Sequence, residues 1–307
     1  MTLVVCRKEG NDVFIQSDSK VTDEFGASTE RDLRQNLPLS GLLKTVFLHP
    51  HVCLSFAGQS AFATKFLKDF VGTNLSEWNT PRLVADLFDI HRQSDQGCEF
   101  VLCVSEDRKS AIVSIKDGAI NADVPNAWIG SQDGFEAYQA AFHQMTDGTI
   151  QERMRSAFKT VIENPDLPEI GHFHIEAYLD HRICDANNDS VFLYELKTEL
   201  DTGSQVIHVP ARTRIALPLG EAAFGAFGTS YFRSLSTMRH AVAIHFPHGQ
   251  FGVLLCPQVD PEMPVLLEDC DARQFIGRIW DDFAISMEGI APTSDTRLQL
   301  LRTPFQA

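Results

Sequence analysis

The sequence has no surplus of basic residues. Its 307 residues carry 41 Asp and Glu against 26 Lys and Arg, a formal net charge of −15. A surface of that sign repels phosphate backbones and anionic lipid headgroups, which argues against nucleic acid or a membrane as the main partner. No apolar run reaches the length of a bilayer-spanning helix. No basic segment followed by an apolar stretch opens the chain, so a secretory leader is not expected. The chain also lacks a C-x-x-C pair, a G-x-G-x-x-G or Walker A loop, an internal repeat and a low-complexity tract. Nothing in these motifs calls for a cofactor.

The cysteines that are present are Cys6, Cys53, Cys98, Cys103, Cys184, Cys256 and Cys270, mostly inside apolar, strand-like runs. They read as reduced, buried thiols of a cytoplasmic protein rather than as a disulfide framework. Apolar residues make up 44% of the chain, enough to build a real core.

Strand and helix signals come in clumps. TLVVCR and DVFIQSD flank the turn EGN and read as a hairpin. A polar excursion from Val21 to Gly41 follows, and then a second hairpin, KTVFLHPHVCLSFAG. Two helices are expected over QSAFATKFLKDFVG and TPRLVADLFDIHR, the latter with Thr80 as N-cap and Pro81 in the first turn. EFVLCVSEDRKSAIVSIKDG is a further hairpin, and NAWIG a short strand. SQDGFEAYQAAFHQM and TIQERMRSAFKTVIE read as helices, and GHFHIEAYLDHRI as a third. The block 184–237 mixes strand-like pieces with a Gly/Phe-rich segment. HAVAIHFPHGQFGVLLCP is a late hairpin, and DARQFIGRIWDDFAISM a closing helix. Clumped elements without βαβ alternation point to antiparallel sheets packed with helices, an α+β class.

The segment GHFHIEAYLDHRIC holds His172, His174, His181 and Cys184, residue types that bind zinc, but the spacing fits no zinc pattern. Structural or solvated histidines are the expectation there, and for the looser group His240, His245 and His248. The acid pairs Asp281–Asp282 and Asp269–Asp271 read as solvated faces.

The residue at the head of the first strand is Thr2. A threonine hydroxyl is a poor nucleophile unless a base stands beside it. If Met1 is removed, the α-amine of Thr2 itself can be that base, because its reference pKa is near 8. With Thr2 as the first mature residue, the chain resembles the proteasome β-type subunits of the N-terminal nucleophile hydrolases, including the bacterial proteasome-like peptidases. The resemblance rests on Thr2, on Asp18 in IQSDSKVT, on Lys44 opening the second hairpin, on Ala57-Gly58 closing it, and on Gly130-Ser131 in AWIGSQDGFEAYQ. It covers about residues 2–165 and 238–288. The family's D-x-x-S-G-G signature is expected near SLSTMRHAVAIHF, where Met238, Arg239 and His240 stand instead.

The resemblance implies one domain over 1–307, a four-layer αββα sandwich with an insertion at 184–237 before the late hairpin. It implies a threonine-dependent amide or peptide hydrolase, cytoplasmic and homo-oligomeric, without metal or cofactor. Thr2 would be nucleophile and base, Asp18 and Lys44 would tune it, the Gly58 N–H would meet the oxyanion, and Ser131 would join the polar network around the amine. The substrate would be a peptide or a small amide. The alternative is a catalytically inactive scaffold or binding protein of the same kind.

Overall fold

The computed structural model of the protein describes residues 2–20, 41–71, 79–171, 173–184, 190–196, 198–199, 205–209, 212–216, 229–235, 240–247, 250–261, 263–292 and 298–304. The chain divides into two compact units. The first comprises 1–22 and 43–194, the second 23–42 and 195–307.

The first unit runs β1 (Leu3–Glu9), β2 (Asp12–Asp18), β3 (Thr45–His49), β4 (Val52–Gly58), α1 (Ser60–Val71), α2 (Thr80–Gln93), β5 (Cys98–Glu106), β6 (Lys109–Lys116), β7 (Ala119–Asn121), β8 (Asn126–Gly130), α3 (Gln132–Gln144), α4 (Ile150–Ile162), β9 (His174–Cys184) and β10 (Ser190–Tyr194). Its strands form two five-stranded antiparallel sheets, in the orders β10-β9-β2-β1-β8 and β3-β4-β5-β6-β7. Apolar residues of both parities are buried in β1, β4 and β5, because each strand is covered on both faces. On one face of β1, Leu3 and Val5 pack under α3 and α4 with Tyr138, Phe142, Met154 and Phe158. On its other face, Cys6 Sγ lies 3.4 Å from Cys103 Sγ of β5.

Local chemistry sets the helix starts. Thr149 caps α4 in a reciprocal capping box with Glu152. Asn79, rather than the expected Thr80, caps α2: its side chain accepts from the Arg82 N–H at 2.9 Å. An amide one residue earlier does the same work as a hydroxyl, so the assignment moves by one position.

The segment 174–184 is a strand, not the expected third helix. It pairs with β2 on one side and β10 on the other. Polar and apolar residues alternate from His174 to Leu179, but both faces are covered, His174 and Glu176 included, so the pattern is not that of a strand with one solvated face.

The second unit contains β11 (Thr198–Glu199), β12 (Gln205–Val209), β13 (Arg212–Ala216), β14 (Thr229–Ser234), β15 (Val242–Phe246), β16 (Phe251–Leu255), β17 (Val265–Glu268), α5 (Ala272–Phe283), β18 (Met287–Pro292) and β19 (Leu298–Arg302). Its main sheet has the order β17-β16-β15-β14-β18-β19, with β11 on β14, while β12 and β13 form a separate pair. Phe275, Ile276 and Ile279 of α5 pack with Phe232, Leu254 and Met287 in its core.

This arrangement corrects the expected four-layer αββα sandwich. The protein is mostly antiparallel β-sheet spread over separate sheets. The late hairpin β15–β16 and the closing helix α5, expected to complete the sandwich, instead build the sheet of the second unit. The block expected to be an insertion is split: 184–194 belongs to the first unit, and the residues from 195 onward share a unit with that hairpin and helix. Strand identity is written in local alternation, but the choice of sheet depends on distant partners, which local patterning does not encode. Among the described residues no helix is long and apolar enough to cross a membrane.

Candidate functional site

The centre of the candidate site is the Asp18 carboxylate at the end of β2. It is fully buried, and so are Thr2 and Lys44 around it. The Thr2 hydroxyl donates to Asp18 Oδ1 at 2.9 Å, and the Leu3 backbone N–H donates to the same oxygen at 3.0 Å. The Lys44 ammonium reaches both oxygens, at 3.3 Å and 3.2 Å. On Oδ2 it is joined by the Lys20 N–H at 3.1 Å and the Gly171 N–H at 3.5 Å. A buried carboxylate needs this many donors, since desolvation is otherwise prohibitive.

Lys44 also donates to the Lys20 carbonyl oxygen. Burial pushes its pKa below the ordinary lysine value. The Asp18 charge and hydrogen bond oppose that fall, and the neighbouring Lys20 adds to it. Lys20 is buried too, and burial shifts its pKa down, with Asp18 and Glu169 opposing.

Thr2 is held from its carbonyl side as well. The Ser131 N–H donates to the Thr2 carbonyl at 2.6 Å. Gly130 permits that approach: its φ is +97°, and a Cβ there would lie 1.9 Å from the Thr2 carbonyl oxygen. The Ser131 side chain caps α3, accepting from the Gly134 N–H at 3.1 Å, and donates to Glu169 Oε1 at 3.1 Å. Gly58 ends β4 with φ +87°, where a Cβ would meet the Gly97 carbonyl oxygen at 2.0 Å. The side chain of its neighbour Ala57 lies 3.3 Å from where a Gly130 Cβ would be.

The structure therefore brings Thr2 and Lys44 each into direct contact with Asp18 and places Ser131 against the Thr2 backbone. Gly58 stands one residue beyond Ala57, which abuts Gly130. Sequence reasoning missed Lys20, Glu169 and Gly171. Lys20 was visible inside IQSDSKVT. Glu169 and Gly171 lie in the loop between α4 and β9, Gly171 as the first residue of the segment expected to be a helix and Glu169 just before it.

The rival histidine set is not assembled among the described residues. The His174 ring is buried against Gln16 and stacks on Phe158 at 4.9 Å, whereas His181 pairs with Asp12 at 2.6 Å. His172 and the Cys184 side chain lie outside the described residues, as does His248. Asp12, Asp180 and His181 could offer ligand atoms within 4.8 Å of one another. Those atoms are engaged by the His181–Asp12 pair and by the Arg182 guanidinium, which holds Asp180 at 2.6 Å. Of the acid pairs, Asp281, Asp282 and Asp269 are exposed and Asp271 caps α5. Of the stretch expected to carry the family signature, Met238 and Arg239 lie outside the described residues, and His240 belongs to the second unit.

Comparison with known proteins returns no matching family model and no matching curated relative.

Proposed function

We propose that the protein is a threonine-dependent amide or peptide hydrolase of the kind represented by proteasome β-type subunits, acting in the cytoplasm as an assembly of identical chains. One observation carries the reading: a buried threonine hydroxyl and a buried ammonium share one carboxylate, with Thr2 Oγ1 and Lys44 Nζ both on Asp18 Oδ1. Removal of Met1 exposes the Thr2 α-amine. The hydroxyl oxygen attacks the amide carbonyl, and its proton passes to that amine. The developing oxyanion is met by the Gly58 N–H. The protonated amine then gives its proton to the departing amine, leaving an ester on Thr2, and water attacks that ester to release the acid and regenerate the hydroxyl.

Asp18 orients the hydroxyl and neutralises Lys44. Burial makes the Lys44 proton easier to give up than that of a surface lysine, which suits a group that adjusts the charge beside a nucleophile. The alternative of a catalytically silent scaffold is favoured by one observation: Thr2 is 3% exposed. The two are separated by intact-mass measurement combined with a β-lactone probe, which acylates a nucleophilic hydroxyl by ring opening. The active reading expects protein lacking Met1 and a single adduct on Thr2 that disappears in Thr2→Ala. Protein that retains Met1 and takes no adduct supports the scaffold.

A further inference from the structure

We propose that Glu99 is a positioning residue for Thr2, acting through the 130–131 turn; the catalytic part of this inference rests on the reading of Thr2 as a nucleophile. Glu99 lies on β5 directly opposite Ala57 of β4, one pair away from Gly58 and Cys98. Its side chain leaves that sheet and reaches the other: Glu99 Oε2 accepts the Gly130 N–H of β8 at 2.8 Å. Gly130 is the residue whose missing Cβ admits the Thr2 carbonyl, and the next N–H, that of Ser131, donates to that carbonyl. A continuous path thus runs from a carboxylate on the sheet that carries Gly58 to the backbone of Thr2 on the other sheet.

The carboxylate is braced. Lys116 of β6 approaches Glu99 Oε1 at 3.8 Å, and its ammonium stands 3.0 Å above the Trp128 ring of β8. A purely structural ion pair would explain Lys116 and Trp128. It does not explain why the second carboxylate oxygen is spent on the Gly130 N–H, in the turn whose next N–H, that of Ser131, holds the Thr2 carbonyl. A charged acceptor holds such an N–H about twice as strongly as a neutral one.

Protonation of Glu99 weakens that hold. Burial raises the Glu99 pKa above the ordinary glutamate value, while the Gly130 N–H, Lys116 and, from α2, His91 pull it down and Asp117 pushes it up. The grip on the 130–131 turn therefore loosens as pH falls through the raised value, at a higher pH than an exposed glutamate would require.

The test compares the full chain with Glu99→Gln, which keeps the acceptor oxygen and loses the charge, and with Glu99→Ala, which loses both. Two readouts are taken between pH 5 and 8. Hydrogen–deuterium exchange of the peptides covering 126–134 and 2–6 reports positioning without reference to activity, and the rate of β-lactone adduct formation reports the nucleophile. Exchange in both peptides rises in Glu99→Ala and less in Glu99→Gln. Adduct formation slows about ten- to a hundredfold in Glu99→Ala, the size of one charge-assisted hydrogen bond lost. Once corrected for intrinsic exchange rates, the loss of protection that wild type shows in 126–134 on acidification is absent in Glu99→Gln. Exchange unchanged in both variants overturns the inference, whatever the probe shows. A wild type that takes no adduct overturns the hydrolase reading and the catalytic consequence, and the exchange readout still decides the positioning.

Discussion

Thr2 and Asp18 are joined directly: the threonine hydroxyl donates to Asp18 Oδ1 at 2.9 Å, across a gap of sixteen residues that folds into a single hairpin. The same carboxylate neutralises Lys44, so two groups of opposite chemical use are held by one acceptor. Removing the acceptor charge leaves Lys44 buried without a counter-ion. Asp18→Asn is expected to destabilise the protein by about 3 kcal/mol in urea unfolding. Adding Lys44→Met to Asp18→Asn recovers most of that loss, because the stranded charge is then gone, and the interaction energy of the double-mutant cycle measures the pair. Losses in Asp18→Asn and Lys44→Met that simply add in the double variant would show that the pair carries no such coupling.

Gly130→Ala tests the grip on Thr2 from the other side. The added Cβ would sit 1.9 Å from the Thr2 carbonyl oxygen, at a φ of +97° that an alanine rarely adopts. At least about 2 kcal/mol of destabilisation is expected from strain and displacement together. Adduct formation at Thr2 falls with it. Gly148→Ala is the control, because it has a similar φ of +92° but meets only the Glu152 side chain, nearest at 3.1 Å. An equal loss in both variants would assign the effect to backbone strain alone.

Elements were legible in the sequence wherever caps and alternation were local. Helix α4 runs from the Thr149 capping box over the segment its spacing marks, and the hairpins β1–β2, β3–β4, β5–β6 and β15–β16 form where turn residues separate apolar runs. The meeting of Asp18 and Lys44 is expected only from the resemblance: taken alone, a strand-end Asp and a strand-opening Lys read as turn and solvent residues, and their contact depends on how two hairpins pack. Strand β9 was not legible: Ile175, Ala177 and Leu179 are buried on one face and His174 and Glu176 on the other, so its polar residues are inside. The loop before it takes its course from where β9 pairs, so Glu169 and Gly171 carry no local signal of their role. Strands β18 and β19 carried little signal, because MEGIAP contains both Gly and Pro.

The thiols are expected to be slow. Cys6, Cys53, Cys98, Cys103, Cys256 and Cys270 are all buried and reduced. Burial pushes the Cys6 and Cys53 thiols well up and Cys98 up to about 12, so little thiolate is present at neutral pH. Iodoacetamide at pH 8 should alkylate these six residues at least about a hundredfold more slowly in native protein than in guanidinium. Intact mass against time reads the rate. Fast native modification of any of them would place that thiol outside the core.

In the second unit, His245 is buried beside Phe275, with ring centroids 5.4 Å apart. Its Nε2 lies 2.9 Å from the Cys270 carbonyl oxygen, an acceptor, so Nε2 carries the proton and Nδ1 is bare. Burial lowers its pKa from 6.5 to about 4, against the opposing pull of the Cys270 carbonyl and Asp271. The unfolded chain therefore takes up a proton at higher pH than the folded one. The stability contributed by a neutral His245 is fully present above pH 6.5 and is lost as pH falls toward 4, amounting to about 3 kcal/mol across that window. His245→Leu cannot take up the proton. It is expected to be less stable than wild type at pH 7, where the hydrogen bond to Cys270 is missing, and to lose less stability on acidification, so the two urea midpoints converge between pH 7 and 4. Parallel midpoints over that range would mean that the folded protein protonates His245 as readily as the unfolded chain, and that its burial does not oppose the charge.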